Sequence, residues 1–118
     1  MELRTHAGSA TVGSADRLRE LLRWMPAATD GAFAVLTRSP TDYIQAILNG
    51  RRWVVELRAG GPETHVEIRK PGLAPDPGDA GRDFGSSSAG TLTADEVTAL
   101  FAAFFEGEDP FELAGTLH

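Results

Sequence analysis

Apolar positions recur along this chain with two periods, one helical and one extended. Leu18, Leu21, Leu22 and Met25 follow the i, i+3, i+4, i+7 spacing that forms one stripe of a helix. Ser14 stands where an N-cap belongs, and Asp16 puts an acid in the first turn. Pro26 ends the helix, because the residue before a proline avoids the α region. Arg17, Arg19, Glu20 and Arg23 take the wet side. A second helix is written more sharply. Thr93 and Glu96 spell a capping box, Leu92 is placed to staple onto Val97, and Val97, Leu100, Phe101, Phe104 and Phe105 make a broad apolar stripe. Gly107 and Pro110 then stop it.

The extended period appears between and before these helices. Glu2 to His6 and Ala10 to Val12 read as short strands around a turn at Gly8. Phe33 to Thr37, Tyr43 to Leu48, Arg52 to Arg58 and Thr64 to Arg69 read as four more. Asn49-Gly50 is a strong hairpin signal. As the centre of a two-residue turn it pairs Leu48 with Arg51, Ala46 with Trp53 and Ile44 with Val55. Alternation then puts Ile44, Ala46, Leu48, Trp53, Val55 and Leu57 on one face. Tyr43, Gln45, Ile47, Arg52, Val54, Glu56 and Arg58 share the other. Val66 and Ile68 extend the apolar face, while His65, Glu67 and Arg69 extend the mixed one. Antiparallel sheets commonly pack one face and wet the other. The expected fold is α+β: an antiparallel β-meander of four to six strands packed on one face by two α-helices. Whether the N-terminal strand joins the sheet is left open by the pattern.

Length and composition add boundaries. The 118 residues suit a single domain spanning 1–118. Within 71–91, eight of the 21 residues are Pro or Gly, with Ser86-Ser87-Ser88 besides. That stretch predicts one long flexible loop. The sequence has no cysteine, no apolar run of membrane-spanning length and no apolar signal core at Met1–His6. A cytoplasmic protein without membrane contact is the expectation. Charge changes the picture further. Residues 1–70 carry a net +2, whereas 71–118 set Arg82 against nine acids for a net −8. Phosphate contacts need a basic patch, so nucleic acid is disfavoured as a partner. An acidic field of this kind suits a basic protein partner.

Candidate chemistry is sparse. No P-loop, dinucleotide fingerprint, calcium loop or zinc-protease motif occurs. Gly85-Ser86-Ser87-Ser88-Ala89-Gly90 lacks the spacing of a nucleophile elbow, and Asp83-Phe84-Gly85 stands without the other parts of a kinase. His6, His65 and His118 are too far apart in sequence to share metal-ligand spacing. His65 falls on the mixed face with Tyr43, Glu56, Arg58 and Glu67. An acid/base pair there competes with a plain ladder of solvated cross-strand contacts, and the ladder is preferred. No catalytic residue, metal or cofactor is expected, and the chain reads as a non-enzyme.

The central stretch Phe33-Ala34-Val35-Leu36, Asp42-Tyr43-Ile44-Gln45, Trp53-Val54-Val55-Glu56-Leu57-Arg58, Gly61-Pro62-Glu63 and His65 resembles small uncharacterised actinobacterial proteins. With Leu92-Thr93-Ala94-Asp95-Glu96-Val97, Phe104-Phe105-Glu106-Gly107 and Pro110, it also resembles the Imm1 family of bacterial toxin-immunity proteins, over roughly residues 31–113. Phe111-Glu112-Leu113 stands where that family tends to place a Trp. The resemblance implies stoichiometric inhibition of a nuclease or deaminase toxin, an acidic surface covering the basic substrate groove. The partner-binding candidates are then Glu106, Glu108, Asp109, Glu112, Asp95 and Glu96. Asp95 and Glu96 have a rival role in stabilising the start of their helix. The alternative is a structural or regulatory interaction domain, homodimeric through the sheet face or its edge.

Overall fold

The computed structural model describes residues 1–58, 66–68 and 92–114. Six strands form one open antiparallel sheet: β1 (Glu2–Thr5), β2 (Gly8–Thr11), β3 (Phe33–Ser39), β4 (Asp42–Asn49), β5 (Arg52–Arg58) and β6 (Val66–Ile68). Their spatial order is β2-β1-β3-β4-β5-β6. Strands β3 to β6 are the meander. The N-terminal hairpin joins it with β1 inside, so the chain leaving β2 must pass over β1 to reach β3. It does so through α1 (Ala15–Leu21) and a single 3-10 turn, Met25–Ala27. Helix α2 (Ala94–Phe105) and the short α3 (Pro110–Ala114) follow. No helix among the described residues is long and apolar enough to cross a membrane.

Local chemistry sets where the helices begin and end. Ser14 Oγ accepts from the Arg17 N–H at 3.1 Å, satisfying one of the unpaired donors of the first turn. Helix α1 stops at Leu21, several residues before Pro26. Beyond it the chain tightens to i→i+3 bonds, with the Met25 N–H on the Leu22 carbonyl and the Ala27 N–H on the Trp24 carbonyl, both at 3.1 Å. Proline has no N–H to continue an α-helix but fits the start of a 3-10 turn, so the stop takes the form of a tightened turn. At α2 the capping box is complete. The Thr93 N–H donates to Glu96 Oε1 at 2.8 Å, and the Glu96 N–H donates to Thr93 Oγ1 at 3.3 Å. Leu92 and Val97, the pair expected to staple the first turn, are both fully buried.

The helices cover one face of the sheet. Leu18, Leu22 and Met25 meet Val97, Leu100, Phe101 and Phe104 over Leu3, Leu36, Ile44, Ala46, Trp53, Val55 and Ile68 in a single core. Fully burying such a side chain is worth about 1.5–3 kcal/mol, so this cluster dominates folding. Val66 lies on the same face, opposite Leu57, but remains 48% exposed at the edge of the sheet.

The β4–β5 pairing departs from the expected register by two residues. Leu48 pairs with Trp53, Ala46 with Val55 and Ile44 with Leu57, and Asn49–Arg52 closes the turn around Gly50-Arg51. Gly50 has φ +73°, whereas no non-glycine residue among those described has positive φ. Positive φ at the first central residue alone suits a II′ turn; a I′ turn on Asn49-Gly50 would need it at both. The Gly50 N–H donates to Asp30 Oδ1 at 2.8 Å, which holds the turn against the start of β3. A slip of two residues leaves every side chain on its own face, so the apolar pattern accepts either register equally.

The second face is not uniformly wet. Phe33, Ile47 and Val54 form one row across it, and Arg4, Val35, Gln45, Glu56 and Glu67 form the next. Val54 is 2% exposed and Glu56 5% exposed, and Glu56 is the one buried charged side chain among the described residues.

Candidate functional site

The acids expected to meet a partner fall at two places along α2. Asp95 lies exposed in the first turn, and the carboxylate of Glu96 closes the capping box of its own helix. Glu106, Glu108, Asp109 and Glu112 gather at the opposite end, all exposed. Asp95 and Glu106 are eleven residue steps apart, roughly 16 Å along the helix axis. The structure therefore brings four of the six candidates together and sets two apart.

The four are held by a tight helix end. Glu106 is the C-cap, and Gly107 takes φ +82°, a conformation that costs an L side chain energy. The Gly107 N–H donates to the Phe104 carbonyl at 3.2 Å and the Glu108 N–H to the Ala103 carbonyl at 2.9 Å. These are the two bonds of a Schellman motif. Pro110, buried, then opens α3, where the Leu113 N–H returns to the Asp109 carbonyl at 3.3 Å. The turn thus projects four carboxylates from seven residues of chain.

Electrostatically the end of α2 is an unfavourable place for Glu106 and Glu108, whereas Asp109 and Glu112 stand at the start of α3, where acids are favoured. The C-terminal end of a helix carries partial negative charge, where acids are destabilising and bases stabilising. No basic residue lies in the last turn of α2. Compensation comes from another element. Arg38, near the end of β3, donates from Nη2 to the Phe104 carbonyl at 2.6 Å, and its guanidinium lies 4.5 Å from the centre of the Phe104 ring. This arginine was not among the sequence candidates. Its partners are 66 residues away, and nothing in the local pattern marks it. Glu106, Glu108 and Glu112 make no ion pair with any described residue.

The mixed face offers a concavity of about 330 Å³, with Arg4, Val35, Tyr43 and Gln45 in its wall. Arg58 stands over the Tyr43 ring at 5.7 Å. Glu67 pairs directly across from Glu56. His65, the loop acids Asp76, Asp79 and Asp83, the serine run 86–88 and His118 lie outside the described residues. Among those described, no group of three or more His, Asp or Glu side chains is gathered as a metal site would require.

Together these features define an α+β domain with an open antiparallel sheet, helices on one face and an acidic helix end. Compared with protein-family models, with curated proteins and with solved structures, the chain matches none.

Proposed function

We propose that this domain is a non-enzymatic protein-binding module whose acidic end, Glu106, Glu108, Asp109 and Glu112, docks onto a basic surface of a protein partner. One observation carries the reading. Four exposed carboxylates are concentrated within seven residues, and two of them, Glu106 and Glu108, stand at the negative end of a helix whose last turn has no basic residue, which works against folding stability. Acids kept at such a cost are explained by complementarity to a partner, since opposed potentials speed encounter and select the right partner. The resemblance to toxin-immunity proteins gives the reading its particular form. The partner would then be a nuclease or deaminase toxin, and the acidic end would cover its basic substrate groove.

The test is capture of partners from the source cell by immobilised protein. Glu106→Lys/Glu108→Lys/Asp109→Lys is compared with Asp95→Lys at the far end of α2. The expected result is a captured protein that elutes with salt, is lost with the triple variant and is kept with Asp95→Lys. Equal capture by the triple variant would overturn the proposal.

A further inference from the structure

Strand β2 is an outer edge of the sheet, hydrogen-bonded to β1 on one side only. The Val12 N–H donates to the Met1 carbonyl at 2.8 Å, so Met1 and Val12 form a hydrogen-bonded pair. Such pairs alternate along an antiparallel ladder. Ala10 opposite Leu3 and Gly8 opposite Thr5 therefore turn their backbone groups toward β1. Ser9 and Thr11, both exposed, turn theirs outward. The edge presents their N–H groups and carbonyls in the spacing of a strand.

Natural sheets guard such edges with charge, proline or a bulge. Strand β2 reads Gly-Ser-Ala-Thr, uncharged and without proline, and its register runs unbroken from Glu2↔Thr11 to Thr5↔Gly8. Beside it lies a cavity of about 190 Å³. Ala10, Leu21 and Trp24 line this cavity and are each only half-buried, so they offer it apolar surface. No charged side chain is among its described lining residues. Leu3, which pairs with Ala10, belongs to the core, so Ala10 stands on the helix side of the sheet. The small side chains of β2 leave the cavity open toward the edge, and no atom lies within 4 Å of where a Cβ on Gly8 would stand. The His6 ring meets Trp24 edge to face at 5.0 Å and braces that wall.

We infer that β2 accepts an extended segment of another protein as an added antiparallel strand, with a large apolar side chain opposite Ala10 lodged in this cavity. Residues of that segment facing Ser9 and Thr11 exchange N–H···O bonds with them. The residue between projects to the helix side and leans over Ala10 toward Leu21 and Trp24. Its two neighbours project to the opposite face, where Ser9 and Thr11 stand beside Arg4 and Glu2, and polar side chains suit that position. A second copy of the chain fits the edge poorly. The helix-side residues of its own β2 are Gly8 and Ala10, too small to fill the cavity, and Val12 beyond them is already buried at 2% exposure. Recognition thus rests on backbone bonds for affinity and one pocket for selectivity. It is independent of the acidic end and of any partner bound there.

The test is an NMR titration of the full chain with the peptide acetyl-Thr-Thr-Leu-Thr-Thr-amide, which is uncharged and so is not drawn to the acidic end. We expect saturable binding, with amide shift changes at Ser9–Thr11, Leu21 and Trp24. Alanine in place of the peptide leucine should weaken binding about tenfold or more. N-methylation of either threonine next to the leucine removes a donor aimed at β2 and should weaken it about fivefold or more. N-methylation of the leucine, whose N–H points away from β2, should change affinity by no more than about twofold. In the protein, Ala10→Leu fills the cavity from within and should weaken binding about tenfold, whereas Glu106→Lys/Glu108→Lys/Asp109→Lys should leave it unchanged. The peptide variants leave the protein untouched, so they decide the matter whatever a substitution does to folding. The inference is overturned by no saturable binding, by shifts clustered elsewhere, or by equal affinity of the alanine or N-methylthreonine peptides. A dimer of the unliganded chain in sedimentation equilibrium that Thr11→Pro dissociates would also overturn it, by assigning the edge to a second copy.

Discussion

Replacing Arg38 by alanine severs the tie between the end of β3 and the end of α2. The guanidinium makes one short bond to the Phe104 carbonyl, 2.6 Å, and rests 4.5 Å over the ring of the same residue. A hydrogen bond from a charged donor contributes about 1.5–3 kcal/mol when well shielded, and an exposed cation–π contact about 0.5–1 kcal/mol. Arg38 is exposed, so water competes for its donors and the lower part of that range applies. Arg38→Ala should therefore cost about 1–2 kcal/mol. For a chain of this size that lowers Tm by roughly 4–8 °C. The assay is urea and thermal unfolding followed by circular dichroism at low ionic strength. Arg38→Met separates packing of the stem from the charge, and Phe104→Leu removes the ring while leaving the carbonyl. A double-mutant cycle between Arg38→Ala and Phe104→Leu should report a coupling of about 0.5–1 kcal/mol, the share of the ring. If Arg38→Ala unfolds within about 0.3 kcal/mol of the parent and the cycle shows no coupling, Arg38 does not offset the negative end of α2.

Three further outcomes follow from the same geometry. Gly50→Ala should destabilise by about 1–2 kcal/mol in urea titration. No atom lies within 4 Å of the added Cβ, so the whole effect would come from holding φ near +73°. Thr93→Ala should cost about 1 kcal/mol by removing the acceptor of the Glu96 N–H, while Thr93→Ser should restore most of it. Phe101→Ala empties a fully buried site and should cost about 3–5 kcal/mol, a large part of a domain's usual margin, measured as loss of the unfolding baseline or a collapse of the midpoint.

How far the site was legible in the sequence differs between its two parts. The acidic residues are visible as a charge count, and the Gly107–Pro110 spacing shows that the helix ends among them. That Asp95 and Glu96 stand apart from the other four follows from helix rise alone. Arg38 was not legible. It acquires its meaning from Phe104, brought close only by folding.

What the sequence determined by itself is the set of features written within a few residues of one another. The Thr93–Glu96 capping box, the Ser14 cap, the Gly107 helix end and the division of β4 and β5 into two faces depend on local hydrogen bonds and on alternation, and all appear as expected. Tertiary structure decided the rest. The insertion of β1 between β2 and β3 lets α1 cross the sheet and bury Leu18 and Leu22, a gain visible only when the whole face is assembled. The two-residue shift of the hairpin is silent in the pattern, because a period of two cannot distinguish registers that differ by two. It was settled by where Gly50 can take positive φ and by the Asp30 carboxylate that receives its N–H. The burial of Val54 and Glu56 on the face expected to be wet has the same origin: alternation assigns a residue to a face, but only the assembled molecule determines what covers that face.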